Sequence, residues 1–153
     1  LNKETPQNLV KRISLLKAED AHKKYKNHLI IAADTILYSR KNFFHKTTNY
    51  NQARINLELL SGRRHTIFTG LTILDKSQNK YFYLTKTKIK FKVLSDIEIK
   101  KYLDLDEWKN KTGSYAIQGY GAFFINYLSG SYSGAVGLPL EKLYHILKQK
   151  KIL

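Results

Sequence analysis

The alternation of apolar and polar positions divides the chain into helices and strands. Thr5-Pro6 marks a helix start, with Thr5 able to cap and Pro6 suited to the first helical position. Leu9, Val10, Ile13, Leu16 and, less strongly, Leu15 predict an apolar stripe continuing towards Ala21 and Tyr25. The run Leu29-Ile30-Ile31-Ala32-Ala33 predicts a strand buried on both faces, delivering Asp34-Thr35 at its C-terminal end. A polar loop is expected from Ser39 to Thr48, and Asn49 can cap a second helix in which Ala53, Leu57 and Leu60 share a face before Ser61-Gly62 ends it.

Thr66 to Leu74 is strand-like, and Asp75 to Asn79 forms a turn. Tyr81 to Leu94 alternates with period two: Thr85, Thr87, Ile89, Phe91 and Val93 face one way, and Lys86, Lys88, Lys90 and Lys92 the other. The lysine row is read as a solvated face that discourages edge pairing rather than as an anion groove. Ser95 caps a helix through Leu103, with Glu98 completing a capping box. A Gly-punctuated region with strand-like Phe123 to Leu128 leads to a last helix from about Pro139 to Lys150, with Leu140, Leu143, Ile146 and Leu147 on one side. This order predicts an α/β (α+β) domain, a mixed, twisted sheet flanked by helices.

At 153 residues the chain fits one domain or two small lobes sharing a core. It has no cysteine, which excludes disulfides, thiolate nucleophiles and cysteine-held zinc. Leu1 to Glu4 leads straight into a polar helix pattern without the look of a signal segment, and no run is long and apolar enough for a bilayer, so a cytoplasmic location without membrane contact is expected. The balance of 27 Lys+Arg against 12 Asp+Glu gives a formal charge of +15. Such a surface attracts polyanions, yet solvated lysine in a chain also rich in Asn, Ile and Tyr is the simpler account of it. Phosphate loops of the GxxxxGK[ST] type, GxGxxG, HExxH, GxSxG and an RNA-recognition signature are all absent from the sequence, and its five histidines lack metal-ligand spacing.

Five segments carry a more specific signal. Ala32-Ala33-Asp34-Thr35 resembles a G-A-D-T signature, with Lys46 downstream where a Lys-Pro pair is expected. Leu60-Ser61-Gly62-Arg63-Arg64-His65 with Thr69-Gly70 resembles L-S-G-x-x-H-x-x-x-T-G, and Lys111 to Gly119 resembles K-A-G-x-Y-x-I-Q-G. Gly130-Ser131-Tyr132-Ser133 and Val136-Gly137-Leu138-Pro139-Leu140 resemble a G-S-Y-x-N-V-V-G-L-P-L ending. In this order and spacing the blocks resemble the Maf family of nucleoside triphosphate pyrophosphatases across the whole chain, residues 1–153.

The resemblance implies a Maf/ITPase-like fold of two lobes with a cleft, and hydrolysis of a nucleoside triphosphate to monophosphate and pyrophosphate with a divalent metal, Mg²⁺ or Mn²⁺. It implies that Asp34 holds the metal or orients water. Lys46 would neutralise phosphate charge, or is one more surface lysine. Lys17, in a Lys17-Ala18 pair late in the first helix, would also reach phosphate. Gln118 would read a base edge or place water, and Glu107 would back the metal or simply cap a turn. The A-D-T and I-Q-G forms resemble the branch preferring dTTP and UTP. A homodimer and the family's older link with septum formation are further expectations of the resemblance, and a nucleic-acid partner is not expected.

The chain departs from the pattern in several places. Thr47 follows Lys46 where Pro is usual, and Thr112 and Gly134 stand for Ala and Asn. The family's opening strand and S-x-S-P-R-R loop do not occur in the sequence, so an N-terminally truncated member is expected. A catalytically inactive remnant and a basic nucleotide- or nucleic-acid-binding protein are the alternatives.

Overall fold

The computed structural model describes residues 4–152, so the reading placed on Leu1 to Lys3 lies outside the described residues. The elements run α1 (Pro6–Lys24), β1 (Ile30–Ser39), β2 (Asn42–Phe44), α2 (Tyr50–Leu60), β3 (Arg64–Leu74), β4 (Lys80–Phe91), α3 (Asp96–Leu103), β5 (Ile125–Ser129), α4 (Tyr132–Val136) and α5 (Leu140–Gln149). The strands form one sheet in the order β2-β1-β3-β4-β5. The α/β architecture expected from the pattern is present, with an antiparallel sheet where a mixed one was anticipated.

Helix starts follow local chemistry. The Thr5 side chain accepts from Asn8 N–H, that of Asn49 from Gln52 N–H, and Ser95 with Glu98 forms the full reciprocal box. Each satisfies backbone donors that a helix start otherwise leaves open, worth about 1 kcal/mol apiece.

The chain forms two compact units. The first comprises the chain as far as Thr35, Phe68–Lys86 and the segment from Ser131 onward. Here the sheet is covered on both faces. On one, Ser14 of α1 bonds Thr72 at 2.8 Å, and Ala18 packs with Ile30 and Leu74. A Cβ at Gly70 would stand 2.7 Å from the Val10 carbonyl oxygen, so glycine at this position is what lets α1 approach so closely. On the other face Ile146 of α5 packs against Leu71 and Ile73. The buried face of α1 is therefore Val10, Ser14 and Ala18, while Leu16 and Tyr25, assigned to the apolar stripe, are exposed. A helix lying this close to a strand favours small side chains at the contact.

The second unit comprises Ile36–Ile67 and Thr87–Gly130. Its core is a chain of tilted and edge-on rings, His65, Tyr115, Phe91, Phe124 and Tyr102, at centroid separations of 4.8–5.8 Å. Trp108 is buried beneath, its indole N–H donating to the Leu103 carbonyl at 2.8 Å.

Three local expectations are corrected. β1 does not stop at Ala33 but runs through Asp34 to Ser39, and its Ile31 is exposed, so the strand is not buried on both faces throughout. The presumed polar loop contains a hairpin: Arg40 (φ 49°) and Lys41 (φ 66°) turn the chain into β2, pairing Leu37 with Phe44. Val93, assigned to the buried side of β4, lies beyond the strand's end and is 80% exposed.

Candidate active site

In the first unit, α1 and β1 bring together two of the residues singled out in the sequence. Lys17 Nζ lies 2.6 Å from Asp34 Oδ1 and 3.4 Å from the Ala33 carbonyl oxygen. The Asp34 side chain is only 15% exposed and that of Lys17 52%, so the carboxylate is largely shielded while the ammonium reaches solvent. Among the described residues Asp34 Oδ2 has no hydrogen-bond partner, which leaves one carboxylate oxygen available to a ligand.

Behind Asp34 the strand is pinned from its other face. Thr69 donates its only hydroxyl proton to the Gly134 carbonyl at 2.7 Å, so in the 2.9 Å contact between the two threonines Thr35 must be the donor. Gly134 N–H in turn is accepted by Ser131 Oγ at 2.8 Å. A Cβ at Gly134 would sit 2.7 Å from Thr85 Oγ1, so this close packing fits the glycine found where the family pattern has Asn. The A-D-T, T-G and G-S-Y segments are thus one hydrogen-bonded assembly that fixes the backbone carrying Asp34. The part of Thr69 was missed in the sequence, where Thr69-Gly70 read only as a motif fragment. An apolar strand interrupted by a threonine followed by glycine was the available signal.

The remaining three candidates belong to the second unit. Lys46 is exposed in the segment between β2 and α2, where the Thr47 carbonyl accepts Asn110 N–H at 3.0 Å. Among the described residues it makes no ion pair. Glu107 reaches the turn that follows Gln118: its Oε2 accepts Tyr120 N–H at 2.7 Å, and a Cβ at Gly119 would stand 2.3 Å from the same oxygen. Glu107 therefore spends part of its carboxylate anchoring the backbone next to the exposed Gln118.

The rest of the glycine-rich motif is scaffold. Gly113 has φ 76°, and a Cβ there would come within 2.5 Å of Leu37 Cδ1. Tyr115 Oη meets His65 Nε2 at 2.8 Å in the core, and Tyr102 Oη accepts Ala116 N–H at 2.9 Å. Burial depresses the His65 imidazole to about 4, and burial pushes the Tyr102 phenol up to about 12. Burial likewise drives the Tyr115 phenol upward. These groups are held neutral near pH 7 and are structural rather than proton-transferring.

A divalent cation is implied by the resemblance, and the donor set can be tested for it. Among the described residues no group of three or more His, Cys, Asp and Glu side chains converges to cage an ion. Mg²⁺ is commonly held by one or two carboxylates, with phosphate oxygens and water completing its octahedron. The single available oxygen of Asp34 fits an ion that arrives with a triphosphate, and does not fit a resident, protein-caged one.

The family model described as Maf-like protein matches residues 1–150. A dTTP/UTP pyrophosphatase of Wolbachia sp. subsp. Drosophila simulans (strain wRi) is 39% identical over 148 residues, covering 96% of this chain and 75% of that protein. One from Bacillus cereus (strain Q1) is 36% identical over 148 residues, covering 97% and 77%. One from Brucella abortus (strain 2308) is 37% identical over 150 residues, covering 94% and 72%. With the A-D-T, T-G and G-S-Y segments joined behind Asp34 and matches of this extent, the chain belongs to the Maf family.

Proposed function

We propose that this chain hydrolyses nucleoside triphosphates between the α and β phosphates, releasing monophosphate and pyrophosphate, with dTTP and UTP preferred. The observation carrying this reading is the Lys17–Asp34 pair, a shielded carboxylate with one oxygen free, in a chain 36–39% identical to proteins named dTTP/UTP pyrophosphatase.

When bound, Mg²⁺ or Mn²⁺ would offset phosphate charge and lower the pKa of a coordinated water. Asp34 is the residue that would hold it, through Oδ2. Lys17 fixes the Asp34 rotamer and, being half exposed, offers N–H donors to an incoming phosphate. Lys46 is a fixed cation suited to charge developing on the leaving phosphates. Gln118 carries both a donor and an acceptor on an anchored turn, as base recognition or water placement requires. Glu107 acts on this reading through the turn it anchors. A cytoplasmic location goes with the reading, since nucleoside triphosphate pools are there; no helix among the described residues is long and apolar enough to cross a membrane.

The test is pyrophosphate release from dTTP, UTP, CTP, GTP and ATP with Mg²⁺ or Mn²⁺. Release favouring dTTP and UTP and stopped by a chelator supports the proposal. A folded chain that releases none from any of them contradicts it.

A further inference from the structure

We infer that Lys86 is a phosphate-binding residue of the nucleotide site, an assignment that rests on the function proposed above. The argument begins with the sides of the sheet in the first unit. α1 lies over one face: Val10 against Gly70, Ser14 on Thr72, and Lys17 on Asp34. Thr35 and Thr69 join each other and Gly134 on the opposite face. Side chains alternate along a strand, so Phe68, two residues from Gly70, shares the face of Asp34. On β4, Phe82 stands against Gly70, Lys80 pairs with Glu19 of α1, and Lys86 Nζ lies 5.8 Å from the centre of the Phe68 ring. Asp34, Lys17, Phe68 and Lys86 therefore share one face of one compact unit.

Reach and charge then decide what Lys86 does there. β1 and β4 flank β3, so their backbones are about 10 Å apart across it. A triphosphate seated at Asp34, met by a long lysine side chain from β4, closes such a gap. Lys17 and Asp34 cancel each other's charge, so the pair alone leaves a polyanionic substrate uncompensated. Lys86 is exposed and makes no ion pair among the described residues, and the Phe68 ring beneath it steadies its ammonium. The lysine row read from the sequence as merely solvated thus includes one member placed beside the carboxylate's face.

The experiment compares Lys86→Ala, Lys86→Arg and Lys90→Ala, the last removing an equal charge from the same strand. Steady-state kinetics with dTTP should show KM raised about tenfold in Lys86→Ala with kcat changed less than threefold. Lys86→Arg should recover most of the affinity, and Lys90→Ala should match the unaltered chain. Calorimetric binding of the uncleavable α,β-imido analogue of dTTP should follow the same order, and it keeps this inference testable if the unaltered chain has no turnover. Equal losses in Lys86→Ala and Lys90→Ala would overturn the assignment, because net charge rather than position would then be responsible. Unchanged KM and unchanged analogue binding in Lys86→Ala would overturn it as well.

Discussion

Lys17 of the first helix and Asp34 of the first strand meet at 2.6 Å, and this contact is what joins a surface helix to the chemistry of the sheet. The Lys17 ammonium is half exposed, so solvent screens the pair to about 1 kcal/mol of stability, and its geometry matters more to the candidate site than to the fold. Lys17→Met should therefore lower kcat/KM for dTTP at least tenfold while moving the thermal midpoint by only about 1–4 °C. Full activity in a folded Lys17→Met chain would show that the ammonium has no part in the reaction.

The hydroxyl relay behind Asp34 carries a stability prediction. Thr69→Val keeps the side-chain shape but leaves the buried Gly134 carbonyl without this donor and removes the hydroxyl contact with Thr35. Leaving buried polar groups unmet costs about 1–3 kcal/mol. Urea unfolding should show a loss in that range, and a variant as stable as the parent would mean that the relay contributes nothing.

Two glycines with left-handed backbone should differ in their tolerance of alanine. At Gly62 (φ 67°) the added Cβ would lie 3.1 Å from Val93 Cγ2, an exposed side chain that can move aside. At Gly113 (φ 76°) it would lie 2.5 Å from Leu37 Cδ1, which is fully buried and cannot. Gly62→Ala should cost about 1 kcal/mol from backbone strain alone. Gly113→Ala should add a further overpacking cost of about 1–3 kcal/mol. Equal midpoints in denaturant would contradict the packing described for Gly113.

His65 sets the direction of an acid effect. Its imidazole titrates near 4 in the fold because burial disfavours the charged form, against the ordinary value of 6.5. Between those values the unfolded chain binds the proton and the folded chain does not. The resulting stability is fully present above about pH 6.5 and is lost as pH falls towards 4, on the order of 3 kcal/mol in all. Glu98, held near 2 chiefly by its hydrogen bond from Lys92, acts in a lower window, from its ordinary 4.5 downward. Denaturant titrations at pH 7 and pH 4.5 should show the parent losing clearly more stability than His65→Gln. An identical loss in both would mean that His65 is not the group responsible.

The sequence was most legible where structure is decided by neighbours a few residues away. Thr5-Pro6, Asn49 and the Ser95–Glu98 pair announce their helices because capping is local chemistry, and the alternation from Thr85 to Phe91 matches the burial pattern. It was least legible where a distant partner decides. Arg40-Lys41 makes the hairpin without the glycine or asparagine that usually signals one, because the pairing of Leu37 with Phe44 holds it. Ser14 is buried and Leu16 exposed because α1 lies tight against Gly70 and Thr72, which no periodicity within the helix could show. For the candidate site, the motifs singled out both Asp34 and Lys17, and what only the fold shows is that the two touch, while His65 and Tyr115 of the neighbouring motifs meet in the core.

The most direct measurement is pyrophosphate release from dTTP and UTP with Mg²⁺ by the parent chain and by Asp34→Asn, which keeps the size of the side chain and removes its charge. Release by the parent that falls at least a hundredfold in the folded variant is the predicted result. Equal release by both would contradict the central role given to Asp34.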